Sequence, residues 1–87
     1  TMPETAAVLG QAVKAGDPAL AGKKIVFTGA MVPYSVSGSD ALFNLGGAVL
    51  AAQLMQPGVY IVMNGRCFHW ENIRKNKEVG VFEGDAL

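Results

Sequence analysis

The sequence predicts an α/β fold in which helices flank a parallel sheet that ends in a hairpin. Three observations indicate this class. Helical and strand patterns alternate along the chain, the first strand is an apolar run without polar alternation, and an Asn-Gly pair separates the last two runs. Because 87 residues suffice for one core, we expect residues 1–87 to form a single domain.

The first predicted element is a helix at the amino end. Thr1 with Glu4 three residues on has the form of a capping box, and Pro3 lies in the first turn. Apolar residues then recur at helical spacing and predict one buried stripe, formed by Met2, Ala6, Leu9 and Val13. The helix is expected to end at residues 16–18, which read Gly-Asp-Pro.

A strand and a second helix follow. Residues 24–28 form a short β-branched and aromatic run closed by Gly29, which is typical of a strand buried on both faces. After a loop over residues 30–39, Ser39 or Asp40 is a good N-cap for a helix over Ala41–Leu54. We expect its inner stripe to consist of Leu42, Leu45, Val49 and Ala52. Further apolar residues of this helix make it apolar nearly all round, which predicts that it is covered on more than one side.

The carboxyl half predicts a hairpin. Residues 59–63 give the strongest strand signal, and Asn64-Gly65 is the preferred two-residue turn into the alternating run at residues 66–70. The tail from Ile73 to Leu87 is expected either to add one edge strand or to stay irregular.

Composition limits the function classes. Seven basic residues balance seven acidic ones, so charge favours neither nucleic acid nor an anionic membrane as a partner. The longest apolar stretch, residues 41–55, is interrupted by polar residues and is shorter than the ~20 residues of a membrane span. Cys67 is the only cysteine, which excludes an internal disulfide and suits a reducing compartment. We therefore expect a cytoplasmic location.

Few side chains suggest chemistry by themselves. Cys67 and His69 share a face of a predicted strand, but two ligands do not complete a zinc site, so a packed thiol and a surface imidazole are favoured. Ser37 and Ser39 lack the His-Asp pair of a serine hydrolase, and turn or capping roles explain them. Gly29 stands alone after its strand, without the glycine pattern of a nucleotide-binding loop. We therefore expect neither a cofactor nor a metal.

A basic run near the carboxyl end leaves two interpretations open. Residues 74–77 read Arg-Lys-Asn-Lys, and such a run usually forms a solvated face. A lysine held in a desolvated site can instead lose its proton and act as a general base. The residues alone do not decide between these roles.

The loop and second helix carry a family resemblance. Thr28-Gly29-Ala30-Met31, followed by Pro33, resembles the Gly-Ala-Met-Arg-Pro segment of bacterial-type asparaginases, with Val32 in place of the usual Arg. Residues 39–41 and 43–44 fall where that family shows Ala-Asp-Gly-Pro and Phe-Asn-Leu. Residues 1–6 resemble the start of the helix that follows the family's His-Gly-Thr-Asp-Thr motif.

The carboxyl half continues this resemblance in the same order. Residues 58–64 are similar to the family's strand ending in Val-Met-Asn, and residues 74–76 lie where the family has Thr-Lys-Thr-Asn. Residues 80–83 resemble the Gly-x-Phe-Glu near the end of the short asparaginases. The chain as a whole thus resembles the carboxyl-terminal half of a short-form asparaginase.

The resemblance implies a fold and an activity. It implies a Rossmann- or flavodoxin-like parallel sheet, here an incomplete half of an asparaginase N-terminal-type domain. The family hydrolyses L-asparagine to L-aspartate and ammonia with a threonine nucleophile and without a metal or organic cofactor. By resemblance Lys75 is the catalytic lysine and Ala30 binds substrate through its backbone. The Thr-Gly-Gly-Thr nucleophile segment has no counterpart in these residues, so we expect the chain alone to be inactive.

Three further expectations accompany this interpretation. A complementary N-terminal segment would complete the site and bind against this chain. Alternatively, the chain is a non-catalytic asparaginase-derived fold that self-associates, because an unpaired sheet edge favours homo-oligomers. A third hypothesis is a small-molecule binding module that uses the loop at residues 29–40.

Overall fold

The computed structural model describes residues 2–32, 35, 37–76 and 81–87, without the side chains at 74–76, 81, 82 and 85. Thr1, Pro33 and residues 77–80, which carry parts of the predicted cap and of the resemblance, lie outside the described residues. The elements are α1 (Met2–Lys14), β1 (Lys24–Phe27), α2 (Ala41–Leu54), β2 (Gly58–Met63), β3 (Arg66–Asn76) and β4 (Val81–Ala86). The predicted α/β class is confirmed.

The four strands form one mixed sheet in the order β1-β2-β3-β4. β1 and β2 are parallel, and β2 with β3 and β3 with β4 are antiparallel. The predicted hairpin turn is confirmed, because Asn64 (φ 55°) and Gly65 (φ 74°) join β2 to β3 in the left-handed conformation that this pair tolerates. The parallel part of the sheet is therefore the β1–β2 pair, and the rest is antiparallel.

The helices lie on opposite faces of the sheet because side chains of β2 alternate between them. On one face Val59, Ile61 and Met63 form a buried cluster with Ala6 of α1 and Phe68 of β3. The predicted α1 stripe is confirmed, since the remaining members pack against this cluster, namely Met2, Leu9 and Val13. The opposite face belongs to α2, which packs against β1 and β2.

The inner face of α2 differs from the predicted one. Ala48 and Ala51 are buried against Val62, whereas three members of the predicted stripe are more than half exposed: Leu42 (66%), Leu45 (53%) and Val49 (54%). Ala52, the fourth, is exposed as well. The small side chains let α2 approach the sheet closely, and a Cβ at Gly47 would lie 3.1 Å from Val62. Close approach by the small-residue face thus outweighs burial of the leucines.

The outer face of α2 is not covered by the described residues. Its exposed large apolar side chains are Leu42, Phe43, Leu45, Val49, Leu50 and Leu54. The prediction that α2 is covered on more than one side is therefore not met within the described part of the chain.

α1 is also fastened to β3. A Cβ at Gly10 would lie 2.1 Å from the ring of Trp70, so only glycine allows this contact without movement. Nearby, Lys14 Nζ lies 2.7 Å from a carboxylate oxygen of Glu71 and 5.8 Å from the centre of the Trp70 ring. These contacts fix the middle of β3 against the helix.

The tail contributes more strand than the sequence pattern predicted. β3 runs on to Asn76 instead of ending near residue 70, and the expected edge strand is β4. The pairing of β3 with β4 is irregular between Phe68 and Ile73. Neither described helix has the length and apolar character needed to cross a membrane.

Candidate functional site

Polar groups converge where the parallel strands β1 and β2 end. Thr28 follows β1, Asn64 follows β2, and the first turn of α2 begins beside both. Ligands of open α/β sheets bind at this carboxyl edge. The loop at residues 29–32, which holds the predicted binding residue Ala30, leaves β1 here and is called the β1 loop below.

Asn44 joins three segments at this edge. Its side-chain amide donates to Gly29 O (2.9 Å) and to the carboxylate of Asp40 (2.9 Å), and its Oδ1 accepts from the backbone N–H of Asn64 (2.8 Å). Asn44 is 1% exposed and is the only buried polar residue among those described. Because the NH₂ group and the oxygen of its side-chain amide all have hydrogen-bond partners, Asn44 fixes the β1 loop relative to the β2–β3 turn.

The side chain of Asp40 binds the backbone of the β1 loop. Its two carboxylate oxygens accept from the N–H groups of Val32 (3.0 Å) and Met31 (3.1 Å). These two backbone hydrogen bonds, the Val32 bond first, lower the pKa of Asp40 below its ordinary value, and the bond from Asn44 acts in the same direction. The carboxylate is therefore ionised at neutral pH, and its two oxygens hold the loop by accepting these backbone hydrogen bonds.

Asp40 and Ser39 share the predicted N-cap role. Asp40 occupies the N-cap position, but its side chain makes no capping bond to α2. Instead the hydroxyl of Ser39 accepts from the N–H of Ala41 (3.1 Å) and donates to Val32 O. Ser39 therefore acts in capping and turn chemistry, as the sequence predicted, and it adds a second tie to the β1 loop.

The hydroxyl of Thr28 binds the neighbouring strand. Its Oγ1 lies 2.7 Å from Val62 O, the short partner to which it donates, and 3.4 Å from Asn44 O. A hydroxyl that donates its proton to a backbone carbonyl is not set up as a nucleophile. Thr28 thus serves to link β1 to β2 at the base of the loop.

The two residues proposed from the resemblance lie in different parts of the fold. Ala30 is exposed in the β1 loop at the carboxyl edge. Lys75 pairs with Phe82 of β4, and β3 runs away from the β2–β3 turn, so Lys75 lies nine positions along the strand from Arg66 at the turn. That is about 30 Å of extended strand. The described backbone does not bring Ala30 and Lys75 together, and their roles stay predictions.

Cys67 and His69 both lie in partly buried positions on β3. Cys67 is partly buried and packs against the cluster below α2, and burial raises the pKa of its thiol. His69 stacks edge-on to Tyr60 with ring centres 5.8 Å apart. Within the described residues, no three His, Cys, Asp or Glu side chains lie close enough to hold a metal ion.

Sequence patterns did not identify the pair Asp40 and Asn44 as a polar network. Asp40 was expected as an N-cap and as part of a family segment, and Asn44 only as part of a family segment. The available signal was an asparagine inside a largely apolar helix, four residues after an aspartate. Such spacing places both side chains on the same side of a helix, and a buried amide in that position requires partners.

Comparisons with known proteins address the family. The family model described as "Asparaginase, N-terminal" matches residues 1–82. None of the curated proteins compared with the chain matches it.

Proposed function

Since this chain belongs to the asparaginase family, we propose that it forms part of an L-asparaginase, which hydrolyses L-asparagine to L-aspartate and ammonia. In this proposal the β1 loop contributes the backbone of Ala30 to substrate binding, and Lys75 assists proton transfer. A threonine of another segment supplies the nucleophile.

The observation that carries this proposal is the fixed β1 loop at the carboxyl edge of the parallel strands. Its backbone is held by Asp40, Asn44 and Ser39, and Ala30 is exposed within it. A rigid, exposed loop at this edge suits the binding of a small ligand, because a preorganised site loses little entropy on binding. The ordered family segments around the loop then favour an asparaginase over other small-ligand proteins.

The proposal includes a requirement for a further segment. These 87 residues contain no Thr-Gly-Gly-Thr sequence, so we propose that the chain alone releases no ammonia. A complementary segment bearing that sequence, in the same protein or in a second chain, would complete the site. For Lys75 to reach Ala30, β3 would have to bend back, and the irregular pairing between Phe68 and Ile73 is a suitable position for that bend.

An ammonia-release assay tests this function. The chain is assayed with L-asparagine alone and after mixing with an N-terminal asparaginase segment that carries the threonine motif. We expect ammonia only from the mixture. We expect no ammonia when the mixture is made with the Lys75→Met variant in place of the unchanged chain. Lys23→Met is the matched control, because Lys23 is exposed just before β1, at the opposite edge of the sheet from the β1 loop. A mixture that binds tightly yet releases no ammonia would refute the proposal.

The exposed side of α2 favours a second candidate function, a non-catalytic fold that self-associates. α2 contains no charged residue, and its six exposed large side chains present on the order of 600 Å² of apolar surface, close to one side of a standard interface. A second copy fits this surface, because an uncharged face can pair with itself about a two-fold axis without like-charge repulsion.

A measurement of the oligomeric state tests whether the chain self-associates. Light scattering after size exclusion should give a dimer for the unchanged chain and a monomer for Leu45→Glu/Val49→Glu. Val8→Glu is the matched control, because Val8 is 69% exposed on α1, on the other side of the sheet. A monomer of the unchanged chain at high concentration would exclude self-association.

A further inference from the structure

The bonds made by Asp40 and Asn44 lie on the two peptide units that flank Ala30. Asn44 donates to Gly29 O, the carbonyl of the peptide unit that precedes Ala30. Asp40 accepts from Met31 N–H, which belongs to the peptide unit that follows Ala30. Both units are therefore anchored, one by its carbonyl and one by its N–H.

Peptide geometry then fixes the directions of the N–H and C=O of Ala30. All described peptide bonds are trans, and in a planar trans peptide the C=O and N–H point in opposite directions. With Gly29 O directed at Asn44, the N–H of Ala30 points away from Asn44. With Met31 N–H directed at Asp40, the C=O of Ala30 points away from Asp40.

Both directions lead away from one compact group. The amide of Asn44 and the carboxylate of Asp40 are themselves hydrogen-bonded at 2.9 Å, so the two anchors form a single unit. Asn44 fixes this unit to the β2–β3 turn through Asn64, and Asp40 holds Val32 as well. A loop held at three backbone atoms, namely Gly29 O and the N–H groups of Met31 and Val32, keeps one orientation instead of sampling several.

We infer that Asp40 and Asn44 are positioning residues of the substrate site, which orient the N–H and C=O of Ala30 toward the ligand. This inference rests on the proposed function, because the ligand is the L-asparagine or L-aspartate of that site. Neither side chain needs to touch the ligand, since each acts through the backbone of Ala30.

The first test measures the anchors in the full 87-residue chain, labelled with ¹⁵N. In the unchanged chain, the amide signals of Met31 and Val32 should titrate together as Asp40 is protonated, with a midpoint below 3.8. In Asp40→Asn, amide exchange with water at these two positions should rise about tenfold, because a charge-assisted bond is lost. Absence of the shared titration would overturn the inference even if the variant failed to fold.

A matched control separates this effect from a general effect of losing an aspartate. Asp17 accepts from the N–H of Ala19 at 2.9 Å in the turn after α1, so Asp17→Asn removes the same kind of bond elsewhere. We expect Asp17→Asn to leave the exchange at Met31 and Val32 unchanged. Equal acceleration in both variants would refute a specific anchor.

The second test connects the anchors to ligand binding. L-Aspartate is titrated into the chain mixed with the complementary segment, and the amide signal of Ala30 is followed. We expect Asp40→Asn to weaken the apparent affinity about tenfold at a temperature at which both the unchanged chain and the variant are folded. Equal affinity with and without the substitution would overturn the positioning role while leaving the proposed function intact. If the anchors pass the first test and Ala30 never responds to L-aspartate, the proposed function fails instead.

Discussion

Removing the side-chain amide of Asn44 should destabilise this fold more than its small size indicates. Asn44→Ala leaves Gly29 O and the N–H of Asn64 without their partner at a position that is 1% exposed. Each unsatisfied group costs about 1 kcal/mol, so we expect a loss of roughly 2 kcal/mol. For a domain of this size that lowers the melting temperature by roughly 8–16 °C.

Circular dichroism with thermal and urea unfolding measures this loss. If the 87 residues unfold as one unit, the free energy of unfolding is about 4–13 kcal/mol, so the variant should still fold and give a complete transition. The matched control is Gln53→Ala on the same helix, where an exposed amide donates to Val49 O at 3.2 Å. That control should change stability by no more than about 0.5 kcal/mol.

An isosteric substitution tests the donor role of Asn44 separately. Asn44→Asp keeps the shape but sets a carboxylate against the carboxylate of Asp40 and the carbonyl of Gly29. We expect a larger loss than for alanine at neutral pH, and partial recovery on acidification, since a protonated carboxyl can donate again. An Asn44→Ala loss below about 0.5 kcal/mol, or an Asn44→Asp variant as stable as the unchanged chain, would refute this account of the network.

Three further predictions concern packing, the strand link and pH. Gly10→Ala should destabilise by about 1–2 kcal/mol in urea unfolding, because overpacking against Trp70 exceeds the ~1 kcal/mol gain in helix propensity. Gly46→Ala in α2, where nothing lies within 4 Å, should stabilise instead, and the same sign at both sites would contradict the packing. Thr28→Val should cost about 1 kcal/mol by removing the bond to β2, and Thr28→Ser should retain most of it, as melting temperatures can show. The lowered pKa of Asp40 stabilises the fold above its ordinary value of 3.8, and this contribution is lost as pH falls through the lowered pKa, so Asp40→Asn should flatten the acid limb of a stability–pH curve.

The position of Lys75 is open to a distance measurement. The described backbone separates it from Ala30 by most of the length of β3. A spin label is attached to a cysteine placed at residue 75, and Cys67 is replaced by Ala so that residue 75 carries the only thiol. The label should broaden the amide signals of Val81–Ala86 but not that of Ala30. Broadening at Ala30 would show that β3 bends back and that both residues can share one site.

Local sequence patterns were sufficient for most elements. The helix over Ala41–Leu54 and the turn at Asn64-Gly65 were predicted with the bounds that the structure has. These features depend on neighbours in the chain, namely a cap at the helix start and two residues that tolerate positive φ. The sequence by itself thus determined the α/β class, the hairpin and the family resemblance.

The tertiary structure decided which faces and which partners these elements use. The hydrophobicity of α2 is nearly uniform around its axis, so periodicity could not select a face, and close contact of Ala48 and Ala51 with Val62 selected it. Asp40 could equally cap its own helix or bind elsewhere, and the proximity of the β1 loop, brought there by the parallel pairing of β1 with β2, decided the matter. Such choices depend on distances between segments that are remote in sequence, which no local pattern records.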